Sequence, residues 1–265
     1  MQLELLDDGV VRLERTGAVL LITINRPDAR NAINLDVTRG IGTAIENLKH
    51  DDSLLVGVLT GTGPVFSAGM DLKAFAEGKP AILPDHQDWG FAGIVRHACD
   101  KPVIAAVNGP AFGGGFEIVL ACDIVLAADT ARFGLPEVTR GLIAGGGGLP
   151  RLAQALPPNV ANRLAFTGDP LSAEEALRWG LVSEVVDADG LVPSAVALAE
   201  RIAANAPLSV RSTKRLLQRL AHESTWTDET WDIIEQEFAD IATTEDSAEG
   251  ARAFVEKRQP RWQGR

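Results

Sequence analysis

Cysteine is scarce: Cys99 and Cys122 are the only two in 265 residues. Two thiols cannot frame a disulfide-stapled fold, and a chain of this length can bury a core without one. Such cysteine usage fits a reducing compartment, so a cytoplasmic location is the expectation. Histidine is nearly as sparse. His50, His86, His97 and His222 are scattered without metal-ligand spacing, which leaves each as a surface or packing residue and implies no metal site. No hydrophobic run approaches the roughly 18 residues of a membrane span. The acidic stretch Met1–Gly9 carries no apolar signal core. The formal net charge of -11 sets the chain against nucleic acid and anionic membrane surfaces. An anionic small ligand would be held by backbone donors and a few local cations. Despite 26 glycines there is no P-loop, no G-x-G-x-x-G and no G-x-S-x-G, and the run Gly145–Gly148 lacks the required spacing.

What is present reads as an α/β protein. The chain is 46% hydrophobic and 23% charged, ordinary for a globular domain. Val10–Asn25 reads as two strands joined by a turn near Thr16-Gly17, with Val19–Ile24 strongly apolar and β-branched. Leu35–Leu48 has helical spacing, with Val37, Ile41, Ile45 and Leu48 on one face. Strands follow at Leu54–Thr60, Val103–Val107, Ile124–Ala127 and Val182–Val186, and a glycine-led helix at Gly113–Cys122. Cys122, in the apolar run Ile118–Ala128, is expected to be buried. Leu171–Glu175 carries a capping-box pattern that opens a short helix ending at Gly180. Repeated strand–strand–helix units favour stacked turns. After about Asn205 the chain is helical in character, with Pro207 at a helix start and amphipathic stretches at Glu229–Ile241 and Ser247–Lys257. The expected organisation is an α/β core over 1–200 and a helical region over 201–265, with no flexible linker. Lys79–Trp89, with Pro80 and Pro84, reads as a loop near whatever site exists.

Three segments carry chemistry. They are Phe66-Ser67-Ala68-Gly69-Met70-Asp71-Leu72; Asn108–Glu117, with Gly113-Gly114-Gly115 before Phe116-Glu117; and Phe133-Gly134-Leu135-Pro136-Glu137, followed by Gly141 and Gly145–Gly148. In the second, a strand ends near Val107 and three glycines lead into a helix. Glycine lets a ligand approach the backbone closely. The first N–H groups of a helix lack internal partners and sit at the positive end of its dipole. Together these form an anion site suited to an oxyanion. Glu117, in the first turn, is flanked by Phe116 and Ile118, and a buried carboxylate can serve as acid or base near neutral pH. Glu137 sits in a Pro-Glu turn. Read singly, each acid is as consistent with a plain helix-end or loop carboxylate.

Together the segments resemble the crotonase (enoyl-CoA hydratase/isomerase) superfamily, from Asn25-Arg26-Pro27-Asp28-Ala29-Arg30-Asn31-Ala32 to Phe254-Val255-Glu256-Lys257-Arg258. The resemblance implies a spiral of ββα turns with a C-terminal helical region that forms trimers, often paired as hexamers. It implies an oxyanion hole from the N–H groups of Ala68 and Gly114, and a coenzyme A path lined by Ala29 and by Ala68, Gly69, Met70, Asp71 and Leu72. Phe254 and Lys257 match positions that hold the nucleotide end, commonly across a subunit boundary. Glu117 and Glu137 fill the two glutamate positions of hydratases, one activating water for attack at C3 and the other protonating C2 of a 2-enoyl-CoA. Gly145 matches a position that supports this arrangement. No metal or redox cofactor is implied; coenzyme A is part of the substrate.

Within the superfamily, Phe112–Glu117, Glu175–Gly180 and Trp262–Arg265 are similar to carnitinyl-CoA dehydratases. Ala144 stands where common hydratases have proline, Gly146–Pro150 departs from their usual run, and Met70 is larger than the usual residue. The alternatives are a carnitinyl-CoA dehydratase, an enoyl-CoA isomerase, or a non-catalytic acyl-CoA binding protein.

Overall fold

This computed structural model describes residues 2–6, 9–79, 81–220 and 228–265. Strands β1 (Gln2–Leu6), β2 (Val11–Thr16) and β3 (Val19–Ile24) form an antiparallel meander. On β2 the alternation of Val11 and Leu13 with more open Arg12 and Glu14 turns one face inward. β4 (Val56–Gly61), β5 (Val103–Val107), β7 (Ile124–Ala128) and β10 (Glu184–Val186) then add in parallel, giving the order β1-β2-β3-β4-β5-β7-β10. Every residue of β5 is buried, as a parallel strand covered on both faces requires. A second, smaller sheet joins β6 (Ala111–Phe112), β8 (Arg132–Gly134) and β9 (Leu171–Ser172), and a lone bridge from Ser67 to Ala111 continues it. The chain thus steps from the large sheet to the small one and then into a helix: β5, β6, α3 (Gly114–Ala121) is one such turn.

Helix α1 (Leu35–His50) covers one face of the large sheet with Val37, Ile41, Ala44, Ile45 and Leu48. Asn34 starts it by accepting the Val37 amide hydrogen, and the buried Lys101 ammonium ends it by donating to the carbonyls of Leu48 and Asp51. The opposite face is covered by α7 (Leu191–Ala203), whose Leu191, Ala195 and Ala199 pack on Val56, Val58, Ile104 and Leu126. The boundary expected at 200 falls inside this helix. α6 (Ala173–Arg178) carries the expected capping box, Ser172 with Glu175.

Beyond α7 the elements among the described residues are helices: α8 (Pro207–Leu220), α9 (Asp228–Ala242) and α10 (Glu245–Glu256). α8 is tied to the core by Lys214–Asp123 and Arg211–Asp100, each 2.7 Å. The tail folds back: Asp246 accepts the Gln263 and Gly264 amide hydrogens, and the Trp262 indole donates to the Ala204 carbonyl. The expected burial of Cys122 holds only in part: both thiols are free and half-buried, each packed against the core on one side and lining a cavity on the other. Among the described residues no helix is long and apolar enough to cross a membrane, and no His, Cys, Asp or Glu cluster could hold a metal. His222 lies outside the described residues.

Candidate active site

The site begins where the loop after β4 is pinned to the Arg26–Ile33 segment. Asn31, fully buried, donates to the carbonyls of Thr62 and Val65 and accepts the Arg26 amide hydrogen. Arg30 and Asn31 both adopt left-handed backbone (φ 52° and 54°), a strained geometry held by these bonds. Ser67 Oγ donates to the Asn31 carbonyl and accepts the Gly69 amide hydrogen. The Ala68 amide donates to the Arg30 carbonyl at 3.0 Å.

That last bond corrects one expectation. An N–H already committed to Arg30 cannot also serve an oxyanion. The bonds of the Ile33–Met70 bridge instead run through Gly69 and Asp71, and among the described residues the Met70 N–H has no acceptor. Gly114 opens α3, so its N–H has no intrahelical partner either. A Cβ on Gly114 would lie 3.5 Å from the Met70 nitrogen. The two open donors facing one another are therefore Met70 and Gly114.

The three glycines before Glu117 have three different reasons to lack a side chain. A Cβ on Gly113 would stand 3.0 Å from Glu137 Oε1, one on Gly114 would strike the Phe91 ring at 2.5 Å, and one on Gly115 would lie 2.3 Å from the Ser67 carbonyl oxygen. The same crowding brings Glu137 over the start of α3.

Glu117 is 4% exposed, and its Oε1 accepts the Gly148 amide hydrogen at 2.9 Å. Burial raises its carboxyl above the usual range; the amides of Gly148 and Gly146 and the charge of Arg151 oppose that rise. Glu137 lies in a short 3-10 turn, Pro136–Arg140, and among the described residues its buried Oε2 has no hydrogen-bond partner. Burial raises this carboxyl too, the charge of Glu117 adds to the rise, and Arg140 opposes it. Both carboxylates line one cavity of about 2290 Å³, together with Ala68, Met70 and Gly114. Cations line the same cavity, Arg30, Lys79, Arg96 and Arg140 among them. His97, 2% exposed, pairs with Glu46 and stacks on Trp89, which fixes the segment that carries Phe91 against α1.

Other expected site residues divide. Leu72 and Gly145 line the cavity. A Cβ on Gly145 would meet nothing within 4 Å, whereas one on Gly146 or Gly148 would lie 2.8 or 2.7 Å from Glu117 atoms. Asp71 is turned away: it caps α2 (Leu72–Ala76) and pairs with Arg26 at 3.2 Å, a structural role in place of the expected ligand contact. Gly69 works by closeness, since its Cβ would lie 2.7 Å from the Phe112 carbonyl oxygen and 2.8 Å from the Gly114 nitrogen. Ala29 and Lys257 do not line the cavity of this chain, and Lys257 is exposed past the end of α10. The Phe254 side chain lies outside the described residues. Sequence reasoning missed Gly148, Arg151 and Phe91, whose roles depend on contacts between distant segments. The loop Lys79–Trp89 does reach the cavity, through Lys79, Ala81 and Ile82.

Residues 14–265 match the family model described as enoyl-CoA hydratase/isomerase. A carnitinyl-CoA dehydratase from Salmonella enteritidis PT4 is 43% identical over 261 residues, covering 96% of this chain and 98% of the relative. An enoyl-CoA hydratase from Mycobacterium tuberculosis H37Rv superposes with a TM-score of 0.92 at 44% identity, over 97% of this chain and 99% of that one. A carnitinyl-CoA hydratase from Mycobacterium avium is 48% identical over the same shares, with a TM-score of 0.77. With the fold, the paired glutamates and the matched length in agreement, the chain belongs to the enoyl-CoA hydratase/isomerase family and has the crotonase fold.

Proposed function

We propose that the protein is an enoyl-CoA hydratase, adding water reversibly across the C2=C3 bond of a 2-enoyl-CoA thioester. The observation that carries this reading is the unequal environment of two carboxylates on one cavity. Glu117 has backbone donors and a cation to support a charge, whereas Glu137 Oε2 is buried and, among the described residues, has no hydrogen-bond partner. A buried oxygen without a partner holds a charge poorly and a proton well. Glu117 is therefore the base and Glu137 the acid.

The thioester oxygen sits between the Met70 and Gly114 N–H groups, and such a donor is worth about 3 kcal/mol as enolate charge develops. Glu117 takes a proton from water as its oxygen bonds to C3. Glu137 delivers a proton to C2 as the enolate collapses. Glu117 ends protonated and Glu137 ionised, and exchange with solvent through the cavity restores both. The mechanism draws on no resident cofactor. Run in reverse on a 3-hydroxyacyl-CoA, the same residues remove water, and the carnitinyl-CoA names of two similar proteins favour testing that direction. Trimer formation is part of the proposal: α9 exposes Phe238, and Lys257 is exposed past α10, off this chain's own cavity.

A spectrophotometric screen tests the reading, following loss of the conjugated thioester band with short, long, branched and betaine-bearing 2-enoyl-CoAs. Hydration of at least one supports it. Bond migration in a 3-enoyl-CoA without hydration points to an isomerase, and acyl-CoA binding without turnover to a binding protein.

A further inference from the structure

We propose that Arg151 is a positioning residue for Glu117. Its guanidinium ties the glycine loop bearing the Glu117 amides to the facing cavity wall and fixes where that carboxylate holds its charge. The case starts from an electrostatic oddity. Arg151 lies in the first turn of α4 (Gly148–Ala155), at the positive end of the helix dipole, where a cation is disfavoured. It is half-buried, and among the described residues its guanidinium donates to carbonyls rather than to a carboxylate. A cation so placed needs another source of stabilisation, and the geometry supplies one.

Arg151 Nη2 donates to the Val95 carbonyl at 2.6 Å, and Nη1 donates to the Gly147 carbonyl at 3.3 Å, with Gly146 at 3.5 Å. One planar fork thus joins two segments of the cavity wall that share no strand or helix. Gly147 makes room for it: this residue is left-handed (φ 86°), and a Cβ there would lie 2.6 Å from Nη1. The neighbours on either side of Gly147 are the two glycines whose amides face Glu117. In a trans peptide the carbonyl and the following N–H point opposite ways, so holding the Gly147 carbonyl toward Arg151 turns the Gly148 amide toward the carboxylate. A lysine, a single point charge, cannot reach both carbonyl sets.

The charged groups facing Glu117 are Arg151 from α4 and Glu137 from the 136–140 turn; Arg140 stands on Glu137. The nearby Cys122 thiol, pushed up to about 12 by burial, stays neutral. Arg151 is thus the cation that opposes burial at Glu117.

The test uses the full chain labelled with [δ-13C]glutamate, with Glu117→Gln assigning the resonance, and compares wild type, Arg151→Met and Arg151→Lys. In Arg151→Met the Glu117 titration moves upward; in Arg151→Lys, which keeps the charge but loses the fork, it moves upward by less. The kinetic arm rests on the hydration reading. In Arg151→Met the acid limb of kcat moves to higher pH, kcat at neutral pH falls about tenfold and recovers only in part as pH rises, and KM changes less than about twofold. Arg151→Lys, the variant that keeps the test alive if the methionine protein does not fold, loses kcat with a smaller shift of the limb. An unmoved Glu117 titration in Arg151→Met, or wild-type kcat in Arg151→Lys, overturns the proposal. If the wild-type protein hydrates no enoyl-CoA but the titration still moves, the hydration reading fails and the positioning role stands.

Discussion

Glu117 Oε1 and the Gly148 amide, 31 residues apart in the chain, meet at 2.9 Å inside the protein. Gly148 can make that bond because it opens α4, where its N–H has no helical partner. It also has no room for a side chain: a Cβ would lie 2.7 Å from Glu117 Cγ and 2.9 Å from Oε1. Gly148→Ala is therefore expected to displace the carboxylate. Steady-state kinetics should show kcat reduced by about 100-fold with a much smaller change in KM.

The two acids are not interchangeable in this account, yet each is needed. Glu117→Gln and Glu137→Gln are each expected to cut kcat by about 100- to 10,000-fold. Acyl-CoA affinity, measured by titration calorimetry, should stay near wild type. The wild-type pH profile should be a bell. As pH falls, activity is lost when Glu117, whose carboxyl is raised chiefly by burial, takes up a proton. As pH rises, activity is lost when Glu137 ionises. Because each charge is felt by the other, the limbs report the pair.

Function here costs stability, with a definite sign. The Glu137 carboxyl is raised in the folded chain, so its contribution is most favourable below its unfolded value of about 4.3 and is lost as pH climbs through the folded value. Glu137→Gln removes that loss. Thermal unfolding should show little difference from wild type in acid. At neutral pH and above the variant should gain roughly 2–4 °C.

Gly69 sets the gap between the two open amides. Gly69→Ala combines a left-handed residue (φ 85°) with a Cβ 2.8 Å from the Gly114 nitrogen. The expected result is a kcat reduced by about 100- to 1,000-fold, the cost of losing one oxyanion donor. The measurement is kcat and KM on the best substrate of the screen.

Much of the fold was legible because it is local. The β-branched run Val19–Ile24, the i, i+4 face of α1 and the Ser172–Glu175 capping box each encode an element within a few residues. β1 escaped notice because the acidic stretch at the chain start gives no apolar run; its strand is defined by pairing with β2. The paired glutamates were legible through motif order. Their partners were not, since Gly148 and Arg151 act across the fold. The choice of Ala68 over Met70 failed for the same reason: which N–H in Ser67–Met70 is open depends on the Arg30 carbonyl, and nothing in the motif announces that bond.

The most direct test is hydration of a 2-enoyl-CoA in water enriched in both 18-oxygen and deuterium, with the product analysed by mass spectrometry and NMR. The account predicts one labelled oxygen at C3 and one deuterium at C2, formed by the wild-type protein and lost in both glutamine variants. Full labelling at the wild-type rate in either variant, or deuterium without oxygen in the wild type, would contradict it.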